Sequence, residues 1–401
     1  NVGDGTYQVA YEFTLRNHGD VPLHDLYLTD DLLTQLAVAV PESVTAVSGS
    51  LAANPAYDGA AGSEVLAAGQ TLGYSATELV TGNVFVVVTL RPGAALASGS
   101  LELANHALAQ GTSPGGQLVT DDSNAGTDPD AGQPDGDDPA LDGDGDPTNN
   151  AGPTTATITE DPVLGVAKSA AVTPVGDGRF DVRFDFVLTN YGDVELRGLQ
   201  LEDDLEAAFG PGTYTVLSLY SPTLAVNAVA PDPAVPTAFD GGANRRLLLG
   251  TDTLAAGASA AVRLVVRVTP QRLGLHTNQA VGSGTSPGGR DVTDRSTDGL
   301  DPDPDGDGVP DEDVPTPVTF GEAPLIGLAK SAAVTMNDDG SFDIELTFTV
   351  RNMGDVPLRG LRVTDPLTGI YAITDLTPER VSAVSSTLTV NPAYDGRSDP
   401  E

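Results

Sequence analysis

The sequence has no cysteine and no tryptophan, and only two of its 401 residues, Lys168 and Lys330, are lysine. Without cysteine, neither disulfides nor thiolate metal sites can fasten the chain. Basic residues are scarce: 19 Lys and Arg stand against 57 Asp and Glu, a formal net charge of -38. A surface of that sign repels nucleic acid and anionic membranes, which leaves cations as the natural partners. Long apolar runs are also missing. The longest lies near Val84–Leu90, far short of the roughly 20 residues that a membrane-spanning helix needs. Neither an initiator methionine, a signal peptide nor an anchoring tail is visible, which reads as a mature product or an excerpt of something longer. At about 150 residues per domain, the length predicts two or three domains instead of one enzyme-sized core.

What is present is a repeat. Residues 2–32 read VGDGTYQVAYEFTLRNHGDVPLHDLYLTDDL, residues 175–205 read VGDGRFDVRFDFVLTNYGDVELRGLQLEDDL, and residues 338–367 read DDGSFDIELTFTVRNMGDVPLRGLRVTDPL. The glycine of the shared N-x-G-D turn falls at Gly19, Gly192 and Gly354, so the copies are offset by 173 and 162 positions. GTSPGG begins at Gly111 and again at Gly284, and NPAYDG at Asn54 and Asn391. Within each copy apolar residues alternate with polar ones: Tyr7, Val9, Tyr11, Phe13 and Leu15; Phe180, Val182, Phe184, Phe186 and Leu188; Phe342, Ile344, Leu346, Phe348 and Val350. A period of two marks half-buried strands. Each run stops at the N-x-G-D turn, where the glycine is expected to supply a positive φ. Nothing sustains a helical period, so the class is all-β, and short strands with Gly, Pro, Asn and Asp punctuation fit two-sheet sandwiches.

The middle copy opens with LGVAKSAAV at Leu164 and the third with IGLAKSAAV at Ile326, whereas the first copy begins inside the following turn. The missing strand is expected from outside the visible first copy, by donation from a neighbouring copy in one version. The predicted organisation is a sandwich lacking its first strand over 1–120, an acidic linker over 121–162, a complete sandwich over 163–293, a second acidic linker over 294–324, and the first half of a third sandwich over 325–401.

AKSAAV, the N-x-G-D turn, L-x-x-L-x-[LV]-x-D-[DP]-L, the LAAG turns at Leu66 and Leu254, and GTSPGG followed by VTD resemble the conserved repeat of bacterial cell-surface proteins catalogued as domain of unknown function eleven. That resemblance implies tandem immunoglobulin-like sandwiches in large secreted or surface-attached proteins, serving as stalks, adhesins or fibres, and it carries no catalytic residues.

The linkers hold the densest charge. Hard divalent cations take oxygen ligands, and alternating Asp in a turning loop aims successive carboxylates at one point. In the second linker two registers compete. Asp301, Asp303, Asp305, Gly306 and Glu312 follow D-x-D-x-D-G-x5-E. Asp303, Asp305, Asp307, Gly308 and Asp311 follow a shorter loop that resembles thrombospondin type 3 repeats. Asp142, Asp144, Asp146 and Asn150 of the first linker share the second spacing, which favours it; Asp128, Asp130, Asp135 and Asp137 add further acids, and Asp313 closes the second run. All are candidate calcium ligands. A solvated acidic spacer is the competing reading, because Asp, Gly and Pro runs bury too little apolar surface to order themselves.

Lys168 and Lys330 occupy the same place on an opening strand. One reading is an edge-strand lysine that discourages aggregation. The other is an internal isopeptide bond, with Asn278 as acceptor and Asp203 as the buried acid, since a desolvated lysine can be neutral and nucleophilic. The histidines His18, His24, His106 and His276 share no repeat position and receive no role. No catalytic fingerprint stands in a fitting context, so no enzyme is expected. The sequence therefore predicts a structural segment of an extracellular surface fibre with calcium in its linkers, partnered by neighbouring copies. The alternative is an adhesin whose loops bind a glycan or a host protein.

Overall fold

The computed structural model describes residues 1–39, 41–78, 80–129, 147–149, 151–231, 238–367, 380–382 and 388–394. The chain divides into two compact units, one of residues 1–173 and 181–320 and one of residues 174–180 and 321–401. The larger unit contains two sandwiches.

The first is built from β1 (Tyr7–Asn17), β2 (His24–Thr29), β3 (Pro41–Ser48), β4 (Val80–Leu90), β5 (Ser100–Asn105), β6 (Leu108–Thr112), β7 (Leu118–Asp122) and β8 (Thr154–Thr159). Its sheets run β1-β4-β3, β2-β6-β7 and β5-β8. The second comprises β9 (Leu164–Gly176), β10 (Arg179–Asn190), β11 (Leu196–Asp203), β12 (Tyr214–Tyr220), β13 (Thr253–Leu254), β14 (Ser259–Val268), β15 (Gly274–Asn278), β16 (Ala280–Thr285), β17 (Asp291–Arg295), β18 (Thr297–Asp298) and β19 (Thr316–Phe320). Here the order is β12-β14-β10-β9-β18, β13-β11-β16-β17 and β15-β19. The two sandwiches match strand for strand, except that β13 is reduced to the single bridge Leu23–Leu72 in the first and that β9 and β18 have no counterpart along β1. β1 is thus an edge strand among the described residues.

The alternation read from sequence is what builds the layers. In β10, Phe184, Phe186 and Leu188 are buried while the residues between them are partly exposed. They share the core with Leu199 and Leu201 of β11 and Val262, Leu264, Val266 and Val268 of β14. Burying each such side chain is worth roughly 1.5–3 kcal/mol. Tyr11, Phe13, Leu28, Val84, Val86 and Val88 play the same part in the first sandwich.

Two findings depart from the sequence reading. Segments 121–162 and 294–324 do more than link, because β8 and β19 lie within them and pair with β5 and β15. Ile158 of β8 belongs to the first core. Second, the N-x-G-D glycines are not left-handed: Gly19, Gly192 and Gly354 all have ordinary negative φ. What the second copy requires is space. A Cβ on Gly192 would run into the backbone at Asp161, Pro162 and Val163, which crosses directly over the turn. The turn itself is made by Asn190, whose Oδ1 accepts from Gly192 N at 3.0 Å while Nδ2 donates to Val194 O at 2.8 Å and Leu254 O at 2.9 Å. Asn17 repeats all three bonds in the first sandwich.

In the smaller unit β20 (Ile326–Met336) and β21 (Phe342–Asn352) form an antiparallel hairpin that pairs Lys330 with Phe348. No helix among the described residues is long and apolar enough to cross a membrane.

Candidate functional site

Lys168 lies at the centre of the second sandwich and is fully buried. It projects from β9 and donates from Nζ to Asp203 Oδ2 of β11 at 2.8 Å. The ammonium stands 4.3 Å from the ring centroid of Phe184 and 5.2 Å from that of Phe186. Burial pushes the lysine downward from its ordinary value, opposed by the charge and hydrogen bond of Asp203. Backbone contacts fix the strand: the Thr316 hydroxyl donates to the Lys168 carbonyl at 2.8 Å. Thr316 is the register partner of Asn278, and Asp203 is the register partner of Ala280, two positions beyond it. Asn278 is buried, and its Nδ2 has no hydrogen-bond partner; nor has Asp203 Oδ1.

The other copies hold parts of the same constellation. Asp30 and Asn105 in the first sandwich stand 173 positions before Asp203 and Asn278. There the asparagine Nδ2 donates directly to Asp30 Oδ2 at 2.8 Å, in a buried pair. Burial raises Asp30 to about 7, in spite of hydrogen bonds from Asn105 and Gln35 that favour the carboxylate. Tyr57 of NPAYDG donates its hydroxyl to Asp30 O at 2.8 Å. In the third copy Lys330 Nζ contacts both oxygens of Asp365 at 2.7 Å, and Tyr394 donates to Asp365 O at 2.9 Å. These three acids are legible as the first Asp of the [TE]-D-[DP]-L sequence that follows the N-x-G-D turn in each copy.

The acidic loop of the second linker packs on the second sandwich, with Pro302 and Pro310 buried against Gly165 and Tyr191. Carboxylate oxygens of Asp303, Asp305 and Glu312 converge within 4.8 Å of one another. Asp303 is buried and accepts from Gly306 N at 3.2 Å and Gly308 N at 3.0 Å. Both carboxylate oxygens of Glu312 are buried without a hydrogen-bond partner. Glu312 belongs to the longer of the two registers, whereas Asp307 and Asp311, which the shorter register requires, are exposed and stand outside this group. Asp307 instead turns back to accept from Val309 N at 2.8 Å. Asp301 and Asp313 are exposed and also outside the group; Asp301 Oδ1 accepts from Asp303 N at 3.2 Å. Asp128 of the first linker pairs with Arg16. Asp130, Asp135, Asp137, Asp142, Asp144, Asp146 and Asn150 lie outside the described residues.

A third site joins the two sandwiches. Glu160, buried just after β8, accepts from the Ser286 hydroxyl at 2.7 Å and from Gly288 N at 3.0 Å, both in the GTSPGG turn of the second sandwich. Arg290 Nη1 donates to the Glu160 carbonyl at 2.6 Å. A Cβ on Gly288 would press on the Glu160 carboxylate and Leu96, so a larger residue there would have to displace the clasp. The signal for this contact was in the sequence: Glu160 and Glu322 share the 162-residue offset and each stands two positions before a proline.

No family model matches the sequence, and no curated protein does. The resemblance to the bacterial surface repeat therefore has no family model behind it. Solved structures with a similar all-β arrangement include the full-length major pilin SpaD from Corynebacterium diphtheriae. It is 10% identical, the alignment covers 80% of this chain and 67% of the pilin, and the TM-score is 0.23. The CupB6 tip adhesin from Pseudomonas aeruginosa is 11% identical, with 74% and 91% covered and a TM-score of 0.26. The major pilin subunit BcpA of Bacillus cereus is 8% identical, with 83% and 85% covered and a TM-score of 0.23. At these TM-scores the likeness carries no argument about function.

Proposed function

We propose that this chain is a structural segment of an extracellular surface fibre, in which tandem sandwiches are locked end to end and calcium orders the acidic linker. The observation that carries the calcium reading is Glu312, whose two carboxylate oxygens are withdrawn from water beside Asp303 and Asp305 and find no donor. A buried carboxylate without a partner is costly, and a divalent cation supplies the missing charge. Oxygen-only ligands in a flexible loop suit calcium better than magnesium, which demands a strict octahedron. The buried Glu160 clasp supports the fibre reading, because it converts two sandwiches into one compact body.

Titration calorimetry of the whole chain with calcium tests the loop. Saturable binding that Glu312→Gln weakens at least tenfold supports the proposal, and absence of binding by the wild-type chain rejects it. The adhesin alternative gains no specific support: the cleft lined by Glu12, Thr14, Arg16, Ser50 and Asn83 presents no aromatic side chain to a sugar.

A further inference from the structure

The buried lysine centre has no part in the fibre reading, and its two repeat relatives show what each component does alone. In the first sandwich, where no lysine is present, the asparagine Nδ2 occupies the aspartate Oδ2 at 2.8 Å. In the second sandwich the Lys168 Nζ occupies the equivalent oxygen at the same distance, and the Asn278 Nδ2 is left buried and unpaired. Amine and carboxamide therefore compete for one carboxylate oxygen, on strands whose register places Asn278 opposite Thr316, whose hydroxyl in turn holds the Lys168 backbone. We infer that Lys168 and Asn278 are joined by an intramolecular isopeptide bond, formed autocatalytically with Asp203 as the proton carrier.

The chemistry balances without an external reagent. A proton passes from the Lys168 ammonium to Asp203 Oδ2, leaving a neutral amine and a neutral acid. The dry core against the faces of Phe184 and Phe186 favours that exchange, because desolvation penalises the charged form of Lys168. The Nζ lone pair attacks Asn278 Cγ, and a C–N bond forms. The tetrahedral centre collapses by breaking the Cγ–Nδ2 bond, with the proton returned from Asp203 and the second amine proton carried to the leaving nitrogen. The products are a secondary amide, ammonia that leaves as ammonium, and Asp203 restored as a carboxylate. No electron is transferred. The unpaired Asp203 Oδ1 gives the acid a second face from which to deliver the proton.

The same logic limits the reaction to one copy. Asp30 and Asn105 have no lysine among the described residues, and Lys330 and Asp365 are paired without an asparagine among them. Intact-mass spectrometry of the whole chain is expected to show the loss of one ammonia from the sequence mass. Proteolysis should give one branched peptide linking position 168 to position 278. Asn278→Ala, Asp203→Ala and Lys168→Met should each show the full sequence mass and unlinked peptides. Lys168→Met is expected to fold, since Asn278 can then bond to Asp203 as Asn105 does to Asp30. A wild-type chain that is folded by circular dichroism but has the full mass overturns the proposal. So does an ammonia loss that persists in Lys168→Met, which would assign it to succinimide formation at Asn278.

Discussion

Ser286 donates a 2.7 Å hydrogen bond to the buried carboxylate of Glu160, 126 positions earlier, and this bond lies between two sandwiches instead of within one. The second sandwich thus receives the acid that ends the first through the turn GTSPGG. Hydrogen bonds to a charged group contribute about 1.5–3 kcal/mol each. Glu160→Ala is therefore expected to lower the coupling between the sandwiches by roughly 3 kcal/mol. Calorimetry should show one cooperative transition for residues 1–320 in the wild-type chain and two in the variant. A single unchanged transition in Glu160→Ala would show that the clasp contributes nothing.

The turn glycines separate two physical reasons for one motif. Gly192 lies beneath the backbone of residues 161–163, whereas a Cβ on Gly19 would meet nothing closer than the Asn17 side chain at 3.3 Å. Gly19→Ala should cost under about 1 kcal/mol, and Gly192→Ala about 1–3 kcal/mol from forced backbone movement. Urea midpoints of the two variants measure the difference. Equal losses would return the motif to a conformational explanation.

Asp30 makes the first sandwich pH-sensitive. An unfolded aspartate titrates near 3.9 and the folded one is raised to about 7 by burial. The folded chain therefore binds the extra proton between about pH 4 and pH 7, so stability falls as pH rises through that window and is flat above it. A shift of about three units corresponds to roughly 4 kcal/mol. Asp30→Asn removes the ionisation, and Asn105, whose Oδ1 is unpaired, can turn its amide to receive the new donor. The variant should be the more stable protein at about pH 8 and the gap should close towards about pH 4. Parallel stability curves for variant and wild type would contradict this.

Much of this was readable before any coordinates. The period-two runs placed the long strands, because a residue such as Phe186 can only be buried if its neighbours face out. The isopeptide reading named Lys168, Asp203 and Asn278 as one group, although they lie on three strands. What escaped were the short strands β8 and β19, since TTATIT and TPVTF are unremarkable polar segments whose burial depends on partners far earlier in the chain, β5 and β15. The clasp at Glu160 escaped for a similar reason: a lone acid beside an acidic linker looks solvated until the turn that receives it is known. That Lys168 takes the Asp203 oxygen which Asn105 takes on Asp30, leaving Asn278 unpaired, is a matter of atoms, and sequence spacing does not reach that far.

The acidic loop yields the last prediction. Asp301, Asp303, Asp305, Asp307, Asp311, Glu312 and Asp313 crowd thirteen positions, and without a counter-ion their mutual repulsion opposes the docked form. Pro302 and Pro310 hold the loop on the sandwich, while Glu312 is held inward with no donor to satisfy it. Calcium reverses the balance, because the charges that repel become ligands and binding energy goes into ordering the loop. At calcium a hundredfold above the dissociation constant, linkage adds about 2.7 kcal/mol to whatever the ion holds together. The sandwiches do not depend on it, since their cores are apolar, so chelation should leave the β signal in circular dichroism unchanged. Small-angle scattering of the whole chain should show a larger maximum dimension after chelation, and residues 294–313 should become protease-sensitive. Glu312→Gln should behave like the chelated wild type even with calcium present, because it removes the buried charge while keeping the shape. If the wild-type chain keeps the same dimension and the same protease resistance with calcium and with chelator, the loop is an acidic spacer and its convergent carboxylates hold no ion.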